Sequence, residues 1–187
     1  MQIVRSRVLA IGATVGMLTL CFAGLHGGVK SVQVGSKAPA FSAKATTGAT
    51  VSLKSRIQKG PVTLYFIKIG CPVNHRAAPF FKRIDQAYKG KGNIVGVIDG
   101  DITAAKEWQK AYGTSFPIVA DPDKKIIGAY GAQYSPWAVG VDKTGKVAKV
   151  LKGGSSTDLK VVNDLAAKAA GAKVAKLSFD GAPPGGG

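Results

Sequence analysis

From Val62 to Ile69 the chain is apolar, β-branched or aromatic at every position except Thr63 and Lys68, the pattern of a central strand covered on both faces. Pro61 stands where a strand can begin without losing a ladder hydrogen bond. The period then changes. Ala77, Phe80, Phe81, Ile84, Ala87 and Tyr88 recur at helical spacing and predict a helix over 72–89, with Pro79 as an internal kink and Gly90-Lys91-Gly92-Asn93 as its end. A second buried strand is expected over 94–99. A helix from Ile102 to Tyr112 follows, stopped by Gly113. Residues 116–123 read as a short strand and turn, with Asp123 expected to cap a helix through Ile126, Ile127 and Tyr130. Trp137–Val141 and Lys146–Leu151 form an antiparallel pair around Asp142-Lys143-Thr144-Gly145. Ser155 or Ser156 caps a final amphipathic helix with Leu159, Val162, Leu165, Ala166 and Ala169 on one face. Earlier in the chain, Thr47-Gly48-Ala49 reads as a hairpin turn before Val51-Ser52-Leu53, and 54–59 as one helical turn. Strands alternating with helices, then a hairpin and a closing helix, predict the α/β class with a mixed sheet.

The two ends read differently. Residues 1–28 carry Arg5 and Arg7, an apolar run from Val8 to Leu25 and small residues at its end, the three parts of an export signal. Cleavage after Ala23 fits a small-x-small rule. Roughly 18 apolar residues also reach the lower limit for an N-terminal anchor, against which Gly12, Gly16 and Gly24 weaken the span. Lipidation at Cys21 is a third option, opposed by Leu20 where a small residue belongs. The chain is therefore expected to be exported, to a periplasm or cell envelope, soluble or associated with the membrane through this segment. One domain is expected over 29–172, and 173–187, ending in Gly181-Ala182-Pro183-Pro184-Gly185-Gly186-Gly187, reads as a flexible tail.

Composition narrows the partners. Lys and Arg number 26 against 10 Asp and Glu, a net charge of +16. The lysines are spread from Lys30 to Lys176 without a block of like charge or interleaved aromatics, so a cationic solvated surface is expected rather than a nucleic-acid site. A cationic envelope-binding protein would rest on this charge alone.

Two cysteines occur, and one lies in the leader. If the leader is removed, Cys71 is the only sulfur available for a disulfide, and any partner belongs to another molecule. Pro72 suits the first helical position, which leaves Cys71 at the N-cap among free backbone N–H groups, where a thiolate is stabilised. The competing reading is a small buried hydrophobe. His75, one turn on, is placed to stabilise the thiolate or move a proton, or else is a solvated or capping histidine. Arg76 adds positive potential or is a surface arginine. Asn74 is an oxyanion donor or an inert helix residue. With His26 beside the cleavage site, a protein-built metal site is not expected, nor any other cofactor.

The segments Val34-Gly35-Ser36-Lys37-Ala38-Pro39-Ala40-Phe41, Cys71-Pro72, Pro79, 116–123, Tyr130-Gly131, Ser135-Pro136 and 139–147 occur in an order that resembles the thioredoxin-like superfamily. Within it the chain is similar to the redoxins grouped with alkyl hydroperoxide reductase and thiol-specific antioxidant proteins. The resemblance spans Gly35 to about Gly171 and implies a thioredoxin-like fold, a central mixed sheet flanked by helices, with Cys71 as the active thiol. It implies that Pro136 is the cis-proline that lies against that thiol and, with Pro72, Ser135 and Trp137, positions a substrate chain; Trp137 by itself reads equally as core. The sequence departs from the pattern in three places. Asn74 stands where thioredoxins carry their second cysteine. Lys68 and Leu64 stand where peroxiredoxins carry a hydroxyl residue and a proline. Tyr134-Ser135-Pro136-Trp137 lacks their arginine.

The function expected is an exported thiol oxidoreductase acting through Cys71, with His75, on a disulfide or a peroxide, an antioxidant or redox-homeostasis activity. An external thiol reductant or a client protein disulfide is the partner. The alternative is a thioredoxin-like binding module that holds clients against Pro136 without turnover.

Overall fold

The computed structural model describes residues 31–184. The expected leader and Cys21 lie outside the described residues. Among the described residues no helix is long and apolar enough to cross a membrane.

The elements follow in the order β1 (Ser42–Lys44), β2 (Thr50–Ser52), α1 (Leu53–Ile57), β3 (Val62–Ile67), α2 (Pro72–Ala87), β4 (Ile94–Ile98), α3 (Ile102–Tyr112), β5 (Ile118–Ala120), α4 (Lys125–Tyr130), β6 (Trp137–Val141), β7 (Val147–Leu151) and α5 (Ser156–Ala170). β1 and β2 form a small antiparallel hairpin. The main sheet has the order β5-β4-β3-β6-β7, with β3 parallel to β4, β4 parallel to β5, and β6 antiparallel to both β3 and β7. β3 is thus central, and all six of its residues are buried. Its apolar run, broken only by Thr63, is the consequence of cover on both faces.

Alternate residues of β3 enter two cores. Tyr65 and Ile67 meet α2, α3 and α5, through Phe81, Ile84, Trp108, Leu159 and Val162 among others. Leu64 and Phe66 meet α4, the hairpin β1–β2 and α1, through Val51, Leu53, Ile126 and Tyr130. α2 runs unbroken through Pro79. α5 opens with a capping box, Ser155 accepting from the Asp158 N–H while Asp158 accepts from the Ser155 N–H, and closes on left-handed Gly171.

Two expectations need correction. Asp123 does not cap α4. Its carboxylate pairs with Lys125 on the surface at 3.0 Å. The helix N-terminus is served by Asp121, whose two carboxylate oxygens accept from the N–H groups of Ile126 (3.2 Å) and Ile127 (2.8 Å). Lys124, at the N-cap, takes φ 56° and ψ 27°, and this left-handed turn leaves the nearer acid outside. The other correction concerns the tail. Through residue 184 it is irregular but tied to the domain: Ala175 exchanges hydrogen bonds with Tyr88 and Asn163 (2.9 Å each), Arg83 donates to the Ser178 carbonyl (2.6 Å), and Phe179 is buried beside Phe80. One aromatic anchor and the buried polar pair on α2 and α5 offset the entropy that a Gly- and Pro-rich composition would retain.

Candidate functional site

The site sits at the C-terminal end of β3, where the strand leaves the sheet and α2 begins. Gly70, with φ 74°, makes the turn. The Ile69 N–H donates to Asp99 at the end of β4 (2.8 Å), and the Cys71 N–H donates to the Lys68 carbonyl (3.3 Å). Cys71 is the N-cap of α2 with Pro72 at the first helical position. The Cys71 carbonyl accepts from Asn74 (3.0 Å) and His75 (3.2 Å). Pro72 has no N–H to offer, so Val73 carries the first free donor of the helix, beside the thiol. Cys71 is half-buried and has a free thiol.

The Cys71 Sγ donates to the Ser135 carbonyl oxygen at 3.3 Å. The Ser135 hydroxyl in turn donates to the Phe66 carbonyl (3.3 Å) and accepts from the Lys68 N–H (3.2 Å), which stitches the loop before β6 to the end of β3. The Ser135–Pro136 peptide bond is cis. Pro136 is buried. Gly154 makes its approach possible, since a Cβ there would stand 2.8 Å from Pro136 Cγ and 3.0 Å from Ala77 Cβ of α2.

Asn74 is fully buried. Its side-chain oxygen accepts from the Tyr65 hydroxyl, and its amide nitrogen reaches toward the Lys68 carbonyl at 3.5 Å. Burial, foremost, pushes the Tyr65 hydroxyl well above its ordinary pKa, with the nearby Tyr112 and Cys71 adding to the shift. Tyr65 therefore remains a neutral donor. Its ring stacks on Phe81 with centroids 3.7 Å apart.

His75 is exposed, and its Nδ1 is hydrogen bonded to the Tyr112 hydroxyl on α3. The imidazole thus has α3 as its anchor, one turn along α2 from the thiol. Arg76 is also exposed. Trp137 is a core residue: it is 1% exposed, pairs with Phe66 across β3–β6, and stacks with Tyr134 at 6.2 Å. Lys152 lies over its ring at 5.6 Å. Ser135 is therefore the residue brought to Cys71, Pro136 follows it in the same loop, and Trp137 lies in the core.

Of the five large hydrophobic residues that the described surface exposes, three lie within two positions of Cys71 or of its partner Ser135: Ile69 (50%), Val73 (37%) and Tyr134 (50%). Sequence periodicity gave no warning of this rim. It also missed the roles of Tyr65, which reads as strand filler, and of Gly154. Among the described residues no group of three or more His, Cys, Asp and Glu converges as metal ligands would.

The family model described as the AhpC/TSA family matches residues 34–150. The chain belongs to the AhpC/TSA family. The match runs from the segment before β1 to β7, so it contains every residue of the site except Lys152 and Gly154. A thiol-disulfide oxidoreductase, ResA, of Bacillus thuringiensis is 32% identical over 134 residues, covering 71% of this chain and 77% of that protein. Two solved structures share the fold. A putative protein disulfide isomerase from Bacteroides thetaiotaomicron has a TM-score of 0.65 at 22% identity, covering 73% of this chain and 90% of its own. A putative thiol:disulfide interchange protein, DsbE, from Chlorobium tepidum has a TM-score of 0.64 at 24% identity, covering 75% and 99%. The AhpC/TSA domain here is thioredoxin-like, a mixed five-stranded sheet between helices.

Proposed function

We propose that the protein is an exported thiol-disulfide oxidoreductase that works through Cys71 alone and relies on an external thiol to complete turnover. The observation that carries this reading is the Cys71–Ser135 contact, a half-buried sulfur at a helix start held against the loop of a buried proline, while Asn74, one turn on, is an amide sealed into the core by Tyr65. The chemistry follows from the residues. The Cys71 thiolate attacks one sulfur of a client disulfide, the other sulfur leaves as a thiolate and takes a proton, and a mixed disulfide joins client and enzyme. Asn74 offers no second sulfur, so the mixed disulfide waits for a thiol from outside. The exposed Ile69, Val73 and Tyr134 suit an extended polypeptide better than a peroxide, and ResA-type relatives carry the name of the same reaction. Export rests on the leader in residues 1–28.

The test is a non-reducing gel, with intact-mass measurement, of wild type and Cys71→Ser after exposure to an oxidised client protein. Wild type is expected to form a thiol-sensitive adduct and Cys71→Ser none, and the mass reports whether the leader is gone. If the two proteins behave identically, the chain is a thioredoxin-like binding module instead.

A further inference from the structure

Beside the thiol lies a solvent-open cleft of about 210 Å³, lined by Phe66, Ile67, Lys68, Asp99, Lys124, Ile127, Ala132, Gln133, Tyr134 and Ser135. Ser135 belongs to both places: it lines the cleft, and its carbonyl receives the Cys71 Sγ. The cleft has room for more than a peroxide. Its lining is apolar through Phe66, Ile67, Ile127 and Ala132, and includes two exposed lysines, Lys68 and Lys124. The acid in the lining, Asp99, is already engaged by the Ile69 N–H at 2.8 Å. The one ion pair within 4 Å among the described residues is Lys125–Asp123, so neither Lys68 nor Lys124 is in direct contact with the Asp99 carboxylate. Lys124 is also held at φ 56°, a left-handed conformation costly for a residue with a Cβ, at the mouth of this cleft.

We propose that this cleft seats the reductant, a low-molecular-weight thiol bearing carboxylate groups, which Lys68 and Lys124 hold while its sulfur attacks the Cys71 disulfide. The inference rests on the single-thiol reading above and names the partner that reading requires. The balance closes with two equivalents of the small thiol. The first, as thiolate, attacks Cys71 Sγ of the mixed disulfide; the client sulfur leaves and is protonated, and Cys71 becomes joined to the small thiol. The second attacks the sulfur of the bound first thiol, so that the symmetrical small disulfide departs and Cys71 returns as the thiolate. One client disulfide is reduced to two thiols and two small thiols are oxidised.

The experiment uses the full chain carrying Cys21→Ser, with Cys71 loaded as its uncharged 2-pyridyl mixed disulfide, and follows release of 2-thiopyridone by two matched thiols. Glutathione carries two carboxylates; in its diethyl ester both are blocked. Wild type is expected to favour glutathione over the ester, and the ratio of the two rates is expected to fall about fivefold for Lys68→Ala, and again for Lys124→Gly, the scale of one charge-assisted contact each. Glycine is at ease at φ 56°, so Lys124→Gly removes the charge without straining the turn. The surface substitution Lys149→Ala, outside the cleft, leaves the ratio unchanged. A ratio that neither cleft substitution lowers overturns the proposal. So does an effect of Lys68→Ala or Lys124→Gly on attack by reduced Cys71 upon an acidic disulfide peptide in place of the effect on glutathione, which would make the cleft a client site. Failure to load Cys71 with the pyridyl group at all is a different result, and overturns the single-thiol reading itself.

Discussion

The Sγ of Cys71 and the carbonyl oxygen of Ser135 lie 3.3 Å apart although 64 residues separate them in the chain. On the Ser135 side the contact is made by backbone, so no substitution of Ser135 removes it directly while Cys71 is kept; what can be removed is the hydroxyl that holds the loop in place. Ser135→Ala deletes the hydrogen bonds to the Phe66 carbonyl and from the Lys68 N–H. A loss of about 1 kcal/mol in stability is expected, with slower alkylation of Cys71 as the loop relaxes. Urea unfolding and iodoacetamide kinetics check the two effects, and an unchanged alkylation rate would separate the loop from the thiol.

The same loop depends on Gly154 from the other side. A methyl group there would meet Pro136 and Ala77 at 2.8 and 3.0 Å. Gly154→Ala is expected to cost about 1–3 kcal/mol through overpacking and to move Pro136 rather than α2, whose Ala77 lies on a continuous helix within the core. Chemical-shift changes concentrated on Cys71 and Ser135 would register that movement.

How much of this was legible beforehand depends on how local the signal is. β3 was legible because six consecutive buried residues write their environment into the sequence, and Cys71-Pro72 because a proline marks a helix start within two residues. The α4 cap was misread: proximity favoured Asp123, while the left-handed turn at Lys124 hands the task to buried Asp121. The tail was misread because composition averages over a segment, whereas Phe179 acts as one residue. The Tyr65–Asn74 bond was invisible for a different reason. It joins a strand residue and a helix residue whose periodic patterns each account for them without the other.

Asp85 gives a pH test. It lies on α2, 1% exposed, accepting from the Ser115 hydroxyl. Burial raises its pKa above the ordinary carboxylate range, opposed by the Ser115 hydrogen bonds and by Arg56. With the folded value above the unfolded one, the native state binds the extra proton between them, so this group's contribution falls as pH rises through that interval and its penalty is complete above it. Asp85→Asn cannot ionise. The stability difference should shift toward the variant as pH rises from about 4 to neutrality, as read from urea midpoints at the two ends. A pH-independent difference would mean that the carboxylate is not penalised.

Phe179 tests the tail. It is 5% exposed and 6.2 Å from the Phe80 ring. Phe179→Ala is expected to cost about 3 kcal/mol, and to speed proteolysis between residues 172 and 184. If stability is unaffected, the contact contributes nothing to folding.

Asn74 is where a second sulfur would have to go, and its surroundings set the terms. Three residues after Cys71, position 74 has the spacing that the thioredoxin resemblance implies for a second cysteine, so Asn74→Cys is expected to form an internal disulfide and to release a client otherwise trapped on Cys71. The substitution also takes away the oxygen that Tyr65 donates to, leaving that buried hydroxyl only a long contact, 3.5 Å, to the backbone carbonyl of residue 74. An unsatisfied buried donor costs about 1–3 kcal/mol, so reduced Asn74→Cys should be less stable than wild type by that amount. Tyr65→Phe added to Asn74→Cys removes the orphaned hydroxyl while keeping the ring stacked on Phe81, and should recover most of the loss. Non-reducing electrophoresis after exposure to an oxidised client, beside urea unfolding of the reduced proteins, reads both effects. A double variant that forms the disulfide but stays as unstable as Asn74→Cys would show that Tyr65 was not Asn74's essential partner; one that is stable yet still traps the client would show that position 74 lies out of reach of the Cys71 sulfur.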